Sequence, residues 1–257
     1  MSESSWQSPV KRKLREGKTV LAATIMVNSV EVAAHLSTLG FDFLWIEMEH
    51  SPITLESLRN MVLATRGLPT LPFARVPVNE LWTAKRVLDA GVYGVMFPFT
   101  STPELARQAA EACHYPPLGR RGSGPTLAKF AWPDGARYHD SADENVTVIA
   151  IIEEGRAVDK IDEIAATPGL DALFIGTSDL SFSLGLRGNQ TDPKLHRAIA
   201  KVVDAGKRYG IALGRPAGTP EQVLEYQKEG FQLFQAPGEI ALMTAGARKY
   251  LGPLVTG

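Results

Sequence analysis

The stretch Val146 to Ser181 reads VTVIAIIEEGRAVDKIDEIAATPGLDALFIGTSDLS. It opens with an apolar, β-branched run, Val146 to Glu153, passes into helical spacing over Val158 to Ala166, pauses at Gly169 and resumes as a second apolar run, Ala172 to Gly176. A run that is apolar throughout, rather than alternating, belongs to a strand covered on both faces, as in a parallel sheet. The stretch is therefore one strand, a returning helix and the next parallel strand.

Working outward in both directions, the same unit recurs. Further strands are predicted at Thr19 to Met26, Phe43 to Glu47, Leu71 to Arg75, Gly94 to Phe97, Ile211 to Arg215 and Leu233 to Ala236, about eight in all. Helices are predicted between them, including Leu55 to Ala64, Glu80 to Asp89, Pro103 to Ala112, Pro193 to Arg208 and Pro220 to Glu229. Thr54, Ser101 or Thr102, Asp192 and Thr219 stand where an N-cap oxygen is needed, and Thr102, Asp192 and Thr219 are each followed by a proline at the first helical position. Eight such units in 257 residues predict an α/β fold of the (β/α)₈ TIM-barrel class, a single domain over 1–257 with 1–16 as a polar N-terminal extension. Tyr115 to Asn145, rich in Gly, Pro and charge, breaks the rhythm and reads as a long excursion, either plain surface or a cover for the site or a neighbouring subunit.

A formal net charge of −1 gives no basis for holding a phosphate backbone, so nucleic acid is not an expected partner. No apolar run reaches the ~20 residues that span a bilayer, and the polar start lacks the core of a signal peptide, so neither membrane nor export is expected. The single Cys113 excludes an internal disulfide or a multi-cysteine metal site and fits a reducing cytoplasm. No dinucleotide or P-loop glycine motif follows any strand, and no GxSxG elbow is present.

In such barrels chemistry gathers where strands end. The second predicted strand delivers Glu47, Glu49 and His50, the third Arg75, the fifth Glu153 and Glu154, and the sixth Gly176 to Asp179. A carboxylate ending a strand as apolar as VIAII needs a cationic partner, either an arginine or a hard divalent cation. Glu153 and Glu154 point to opposite sides, so at most one faces the axis. His50 is the one histidine at a strand exit and suits a general base. Arg75 calls for an anionic partner, from the protein or from a substrate. No lysine occupies such an exit, so a Schiff-base mechanism lacks its amine, and carbon–carbon chemistry beside a carbonyl would need a metal as electron sink.

Six blocks in register, WIEMEHSP (Trp45 to Pro52), ARVP (Ala74 to Pro77), LDAG (Leu88 to Gly91), YPPLGRRGSGP (Tyr115 to Pro125), IEEGRAV (Ile152 to Val158) and FIGTSDLSFSLG (Phe174 to Gly185), resemble the HpcH/HpaI class II pyruvate aldolases from about Gly17 to Gly238. The form of the first block also resembles the macrophomate-synthase-like members. The resemblance implies a barrel whose C-terminal helix is exchanged between subunits of a homo-oligomer, commonly a hexamer. It implies a divalent cation, Mg²⁺, Mn²⁺ or Co²⁺, on Glu153 and Asp179, and a 2-oxo acid whose carboxylate meets the backbone N–H groups of Gly176, Thr177 and Ser178. By the same resemblance Arg75 steadies the enolate oxygen, His50 is the base acting through a water, and Asp89 pairs with that histidine.

Three positions depart from the family pattern: Ile151 replaces a frequent Gln, Thr177-Ser178 a commoner Pro-Ala, and QAPGE a run of Val, Gly and Asp. They leave the enolate residues in place and the aldehyde partner open. The expected activity is metal-dependent cleavage or formation of 4-hydroxy-2-oxo acids from pyruvate, or a related 2-oxo acid, and an aldehyde. The alternatives are oxaloacetate decarboxylation through the same enolate and, from another class, a non-catalytic ligand-binding barrel.

Overall fold

A computed structural model describes residues 6–254. Eight parallel strands close on themselves in sequence order: β1 Val20–Ile25, β2 Phe43–Glu47, β3 Leu71–Arg75, β4 Gly94–Phe97, β5 Thr147–Ile152, β6 Ala172–Ile175, β7 Ala212–Pro216 and β8 Leu233–Gln235. Closure is made by β8 against β1, Val20 opposite Leu233. Each predicted strand is present, and the barrel is the predicted one.

The interior is packed with rings. Phe43 and Phe73 stack at 4.4 Å, and Trp45 meets Phe174 at 4.7 Å. Glycine makes room for them: a Cβ on Gly94 would stand 2.4 Å from the Phe73 ring, and one on Gly214 2.7 Å from Phe174. On the outer face Ile152, Leu173, Ile175 and Leu213 form a second cluster with Leu195, Ile199 and Val202 of the helix Pro193–Tyr209. The caps act as predicted, with the side chains of Thr54, Thr102, Asp192 and Thr219 each accepting a first-turn N–H. Cys113 ends the helix Pro103–Cys113 fully buried, and burial pushes its thiol up to about 12, so it is an inert core residue.

Of the polar stretch 1–16, residues 1–5 lie outside the described residues. The rest is less peripheral than its composition predicts. Pro9–Arg15 is a helix with Val10, Lys11 and Leu14 buried. Lys11 Nζ donates to the Val146 carbonyl (2.7 Å) and pairs with Asp171 (3.0 Å), while Ser8 N–H donates to Asn145 (2.6 Å).

The excursion after Tyr115 is also more ordered than a loop. It carries the helices Thr126–Ala131 and Tyr138–Asn145, short enough for the surrounding Gly and Pro to mask their spacing. Trp132 stacks on Tyr93 at 4.5 Å, just before the start of β4, and meets Trp6 at 5.5 Å. This part of the excursion therefore seals the end of the barrel opposite the strand exits. The last helix, Glu239–Leu251, buries no residue, and Ile240, Met243, Tyr250 and Leu251 are exposed along it. Among the described residues no helix is long and apolar enough to cross a membrane.

Candidate active site

Register builds the centre of the site. Glu47 and Arg75 are direct partners across β2 and β3, each the last residue of its strand, so both side chains emerge together at the mouth. Arg75 is ringed by carboxylates. Its Nη1 lies 3.3 Å from Glu47, and its Nη2 contacts Glu49 and stands 3.5 Å from Glu153. Its Nε is buried without an acceptor.

Glu47, 3% exposed, joins two parts of the site. Oε1 accepts the backbone N–H groups of Glu49 (2.8 Å) and His50 (3.1 Å), and Oε2 accepts Trp45 Nε1 (3.2 Å) and Arg75 Nη1 (3.3 Å). One carboxylate thus fixes both the turn that presents His50 and the guanidinium. The His50 side chain is 55% exposed, with Nε2 3.7 Å from Glu49, leaving the ring open to the mouth.

Glu153 is 1% exposed. Its Oε1 accepts the Phe99 N–H at 2.6 Å, and Phe99 adopts a left-handed φ of 47° to give it, a conformation that costs a non-glycine residue about 1 kcal/mol or more. Burial raises the Glu153 carboxyl to about 7 against the Phe99 bond and Arg75, with Glu49 and Asp179 adding repulsion. Burial likewise raises Glu49 to about 7, opposed by Arg75 and reinforced by Glu47 and Asp179. Glu154 turns the other way, to Ser101 and Arg156, as strand alternation requires.

Three carboxylates thus share one guanidinium, with Asp179 a fourth acidic group nearby, and the mouth is short of positive charge. Among the described residues no three His, Cys, Asp or Glu side chains are grouped to hold a metal ion alone. Glu153 and Asp179 are two carboxylates of the kind a hard divalent cation takes, and would hold one only with further oxygen ligands from outside the chain. Gly176 keeps the space beside Glu153 open, since a Cβ there would lie 2.8 Å from Glu153 Oε2. Gly176 also caps the helix Thr177–Ser183, whose first-turn N–H groups have no intrahelical acceptor and face the exit of β6.

The structure therefore gathers Arg75, Glu153 and the Gly176–Asp179 turn at one mouth, with His50 beside them. It does not bring Asp89 there. The helix Leu81–Ala90 runs from the exit of β3 back toward the start of β4, which carries Asp89 about 12 Å along its axis to the far end of the barrel. Asp89 instead lies 3.5 Å from the fully buried Arg121, which donates to Tyr138 Oη at 2.7 Å. Burial raises the Asp89 carboxyl and Arg121 opposes this. Glu47, expected at the exit of the second strand, gains from its register opposite Arg75 a role that its position in the sequence does not specify, the bridge between the guanidinium and the His50 turn. Phe99 carries no signal in the sequence, because its role is a backbone N–H.

Residues 25–242 match the family model described as HpcH/HpaI aldolase/citrate lyase. The chain is 34% identical over 238 residues to the 2-dehydro-3,6-dideoxy-6-sulfogluconate aldolase of Pseudomonas putida, covering 93% of each. It is 31% identical over 254 residues to the hydroxypyruvate/pyruvate aldolase of Paraburkholderia phytofirmans, covering 96% of this chain and 98% of that one. An HpcH/HpaI aldolase/citrate lyase family protein from Burkholderia cenocepacia superposes with a TM-score of 0.90 at 33% identity, over 96% of this chain and 99% of the other. The chain belongs to the HpcH/HpaI aldolase/citrate lyase family, and it is an enzyme of the lyase class rather than a non-catalytic barrel.

Proposed function

We propose that this enzyme is a class II aldolase that cleaves or forms 4-hydroxy-2-oxo acids, with pyruvate or a close 2-oxo acid as the nucleophilic half and an aldehyde as the other. The observation that carries this reading is Arg75, held by Glu47, Glu49 and Glu153 with one buried N–H unclaimed. A guanidinium so fixed suits an oxyanion that develops during reaction, because its orientation is settled beforehand.

A divalent cation, Mg²⁺, Mn²⁺ or Co²⁺, held by Glu153 and Asp179 supplies the Lewis acidity that makes C3 of a 2-oxo acid acidic. The N–H groups of Gly176, Thr177 and Ser178 receive the substrate carboxylate. In the cleavage direction His50, directly or through a water, takes the proton of the C4 hydroxyl. The C3–C4 bond breaks to release the aldehyde, and Arg75 bears the enolate oxygen until C3 is reprotonated. Glu47 keeps base and guanidinium in register. Because Asp89 lies at the far end of its own barrel, its pairing with His50 requires Asp89 of a second copy. The unburied helix Glu239–Leu251 supports a homo-oligomer in which that helix is exchanged, a hexamer by family resemblance, and the buried single thiol suits a cytoplasmic enzyme.

The test is a retro-aldol screen of 4-hydroxy-2-oxo acids with each of the three cations, released pyruvate being followed by a coupled dehydrogenase. Cation-dependent release supports the reading; no release from any member, with CO₂ evolved from oxaloacetate instead, replaces it with decarboxylation through the same enolate.

A further inference from the structure

A cavity of about 690 Å³ opens on the flank of the barrel outside β7, between the helices Pro193–Tyr209 and Pro220–Glu229. Its volume is that of a small-metabolite site. Of the residues assigned above to the reaction, only Thr177 lines it. Its central cation is Arg215. Strand alternation turns Gly214 inward to the rings of the core and Arg215 outward, where the guanidinium carbon sits 3.5 Å from the centre of the Tyr226 ring and 5.2 Å from that of Phe231.

The stack holds Arg215 in place but satisfies none of its N–H groups. The side chain is 12% exposed, and its nearest carboxylate, Glu229, is 3.7 Å away and nearly half in solvent. Among the described residues its side chain donates no hydrogen bond, and Nε is buried without an acceptor. A guanidinium carries five donors, and burying even one of them unmatched, as here at Nε, is costly. Burial lowers its pKa, with Tyr226, Glu229 and Glu225 only partly opposing this. Lys207 and His196 add two more nitrogen-bearing side chains to the wall, which also carries the carboxylates Asp204, Glu225 and Glu229 at its helix faces, so Arg215, the buried cation, is where an oxyanion would seat.

We propose that this cavity is a second ligand site, separate from the strand-exit site, which takes a small molecule by an oxyanion group, carboxylate or phosphate, seated on Arg215. A planar fork already stacked on an aromatic ring presents its edge for bidentate contact with such a group. The cavity also reaches the turn of the candidate active site, since Gln190 in its wall donates to the Thr177 carbonyl at 3.4 Å.

The test is calorimetric titration of the full-length, Mg²⁺-loaded protein with inorganic phosphate and, separately, with succinate. Wild type should bind one of the two, and the stronger ligand distinguishes a phosphoryl from a carboxylate group. Arg215→Gln should weaken that binding at least ~10-fold, as expected when a charge-assisted bidentate contact is lost. Ala200→Trp, which fills the cavity from an exposed helical position, should do the same and serves where Arg215→Gln does not fold. Undiminished binding in either folded variant, or no binding of either anion by wild type, overturns the proposal.

Discussion

Glu47 and Arg75 end adjacent strands as register partners, and their side chains meet at 3.3 Å. The pair is buried, so each charge depends on the other, and Glu47 also holds the His50 turn by two N–H bonds. Glu47→Gln keeps an oxygen for those N–H groups while removing the charge. It should leave the fold intact and lower kcat more than it raises KM. Glu47→Ala frees both and should cost on the order of 3 kcal/mol in denaturant unfolding. Equal kcat in wild type and Glu47→Gln would show that Glu49 and Glu153 suffice to place the guanidinium.

The acidity of the mouth sets a pH dependence. Glu49 and Glu153 are raised from 4.5 to about 7 in the folded chain. A raised carboxyl favours the protonated folded form, so the stability it lends is complete below about pH 4.5 and is lost as pH rises through about 7. In cation-free protein, Tm should fall across this window more steeply for wild type than for Glu153→Gln. Parallel Tm curves would be the contrary result.

Cation binding has the opposite slope, because the ligand needs ionised carboxylates. Affinity for Mn²⁺ should rise between about pH 5 and 7.5, release protons, and saturate near one ion per chain by calorimetry. Glu153→Gln and Asp179→Asn should each weaken it by at least ~10-fold, the loss seen even for outer partners of a metal site. Saturation unaffected by both changes would place the ion elsewhere.

Gly176→Ala tests the space beside Glu153 without touching charge. A Cβ would lie 2.8 Å from Glu153 Oε2 and 2.9 Å from its Cβ, so the carboxylate must move. Mn²⁺ affinity and kcat should both drop, while far-UV circular dichroism stays that of wild type. Unchanged affinity would mean that Glu153 has room to shift and still bind.

The helix Glu239–Leu251 leaves Ile240 at 51% and Met243 at 68% exposure, an apolar face that water disfavours unless a second copy covers it. The double change Ile240→Asp and Met243→Asp should lower the mass measured by light scattering. A monomeric wild type would remove the reason for the change.

What was legible in the sequence follows from local physics. Apolar runs fixed the strands to within a residue or two, because a strand buried on both faces cannot hide its composition. The N-caps were readable because Thr54, Thr102, Asp192 and Thr219 act on groups three or fewer residues away. Arg75, Glu153 and His50 were found because polar residues ending apolar strands have few other uses. The residues that escaped depend on distant parts of the chain. Phe99 contributes through an N–H aimed 54 residues onward, the helices of the excursion are held by packing against Trp6 and Tyr93, and the distance of Asp89 from His50 follows from the direction of a helix.

The clasp formed by Ser8 and Lys11 has a consequence for how the chain is made. Their partners lie far along the chain: Asn145 and Val146 come 137 and 135 positions later, and Asp171 later still. The helix Pro9–Arg15 must therefore wait, unsatisfied, until Asp171 has been synthesised, and β1 waits longer for β8. Contacts of such sequence separation make assembly slow. Docking of this helix therefore reports that the segments leading into the fifth and sixth strands are in place.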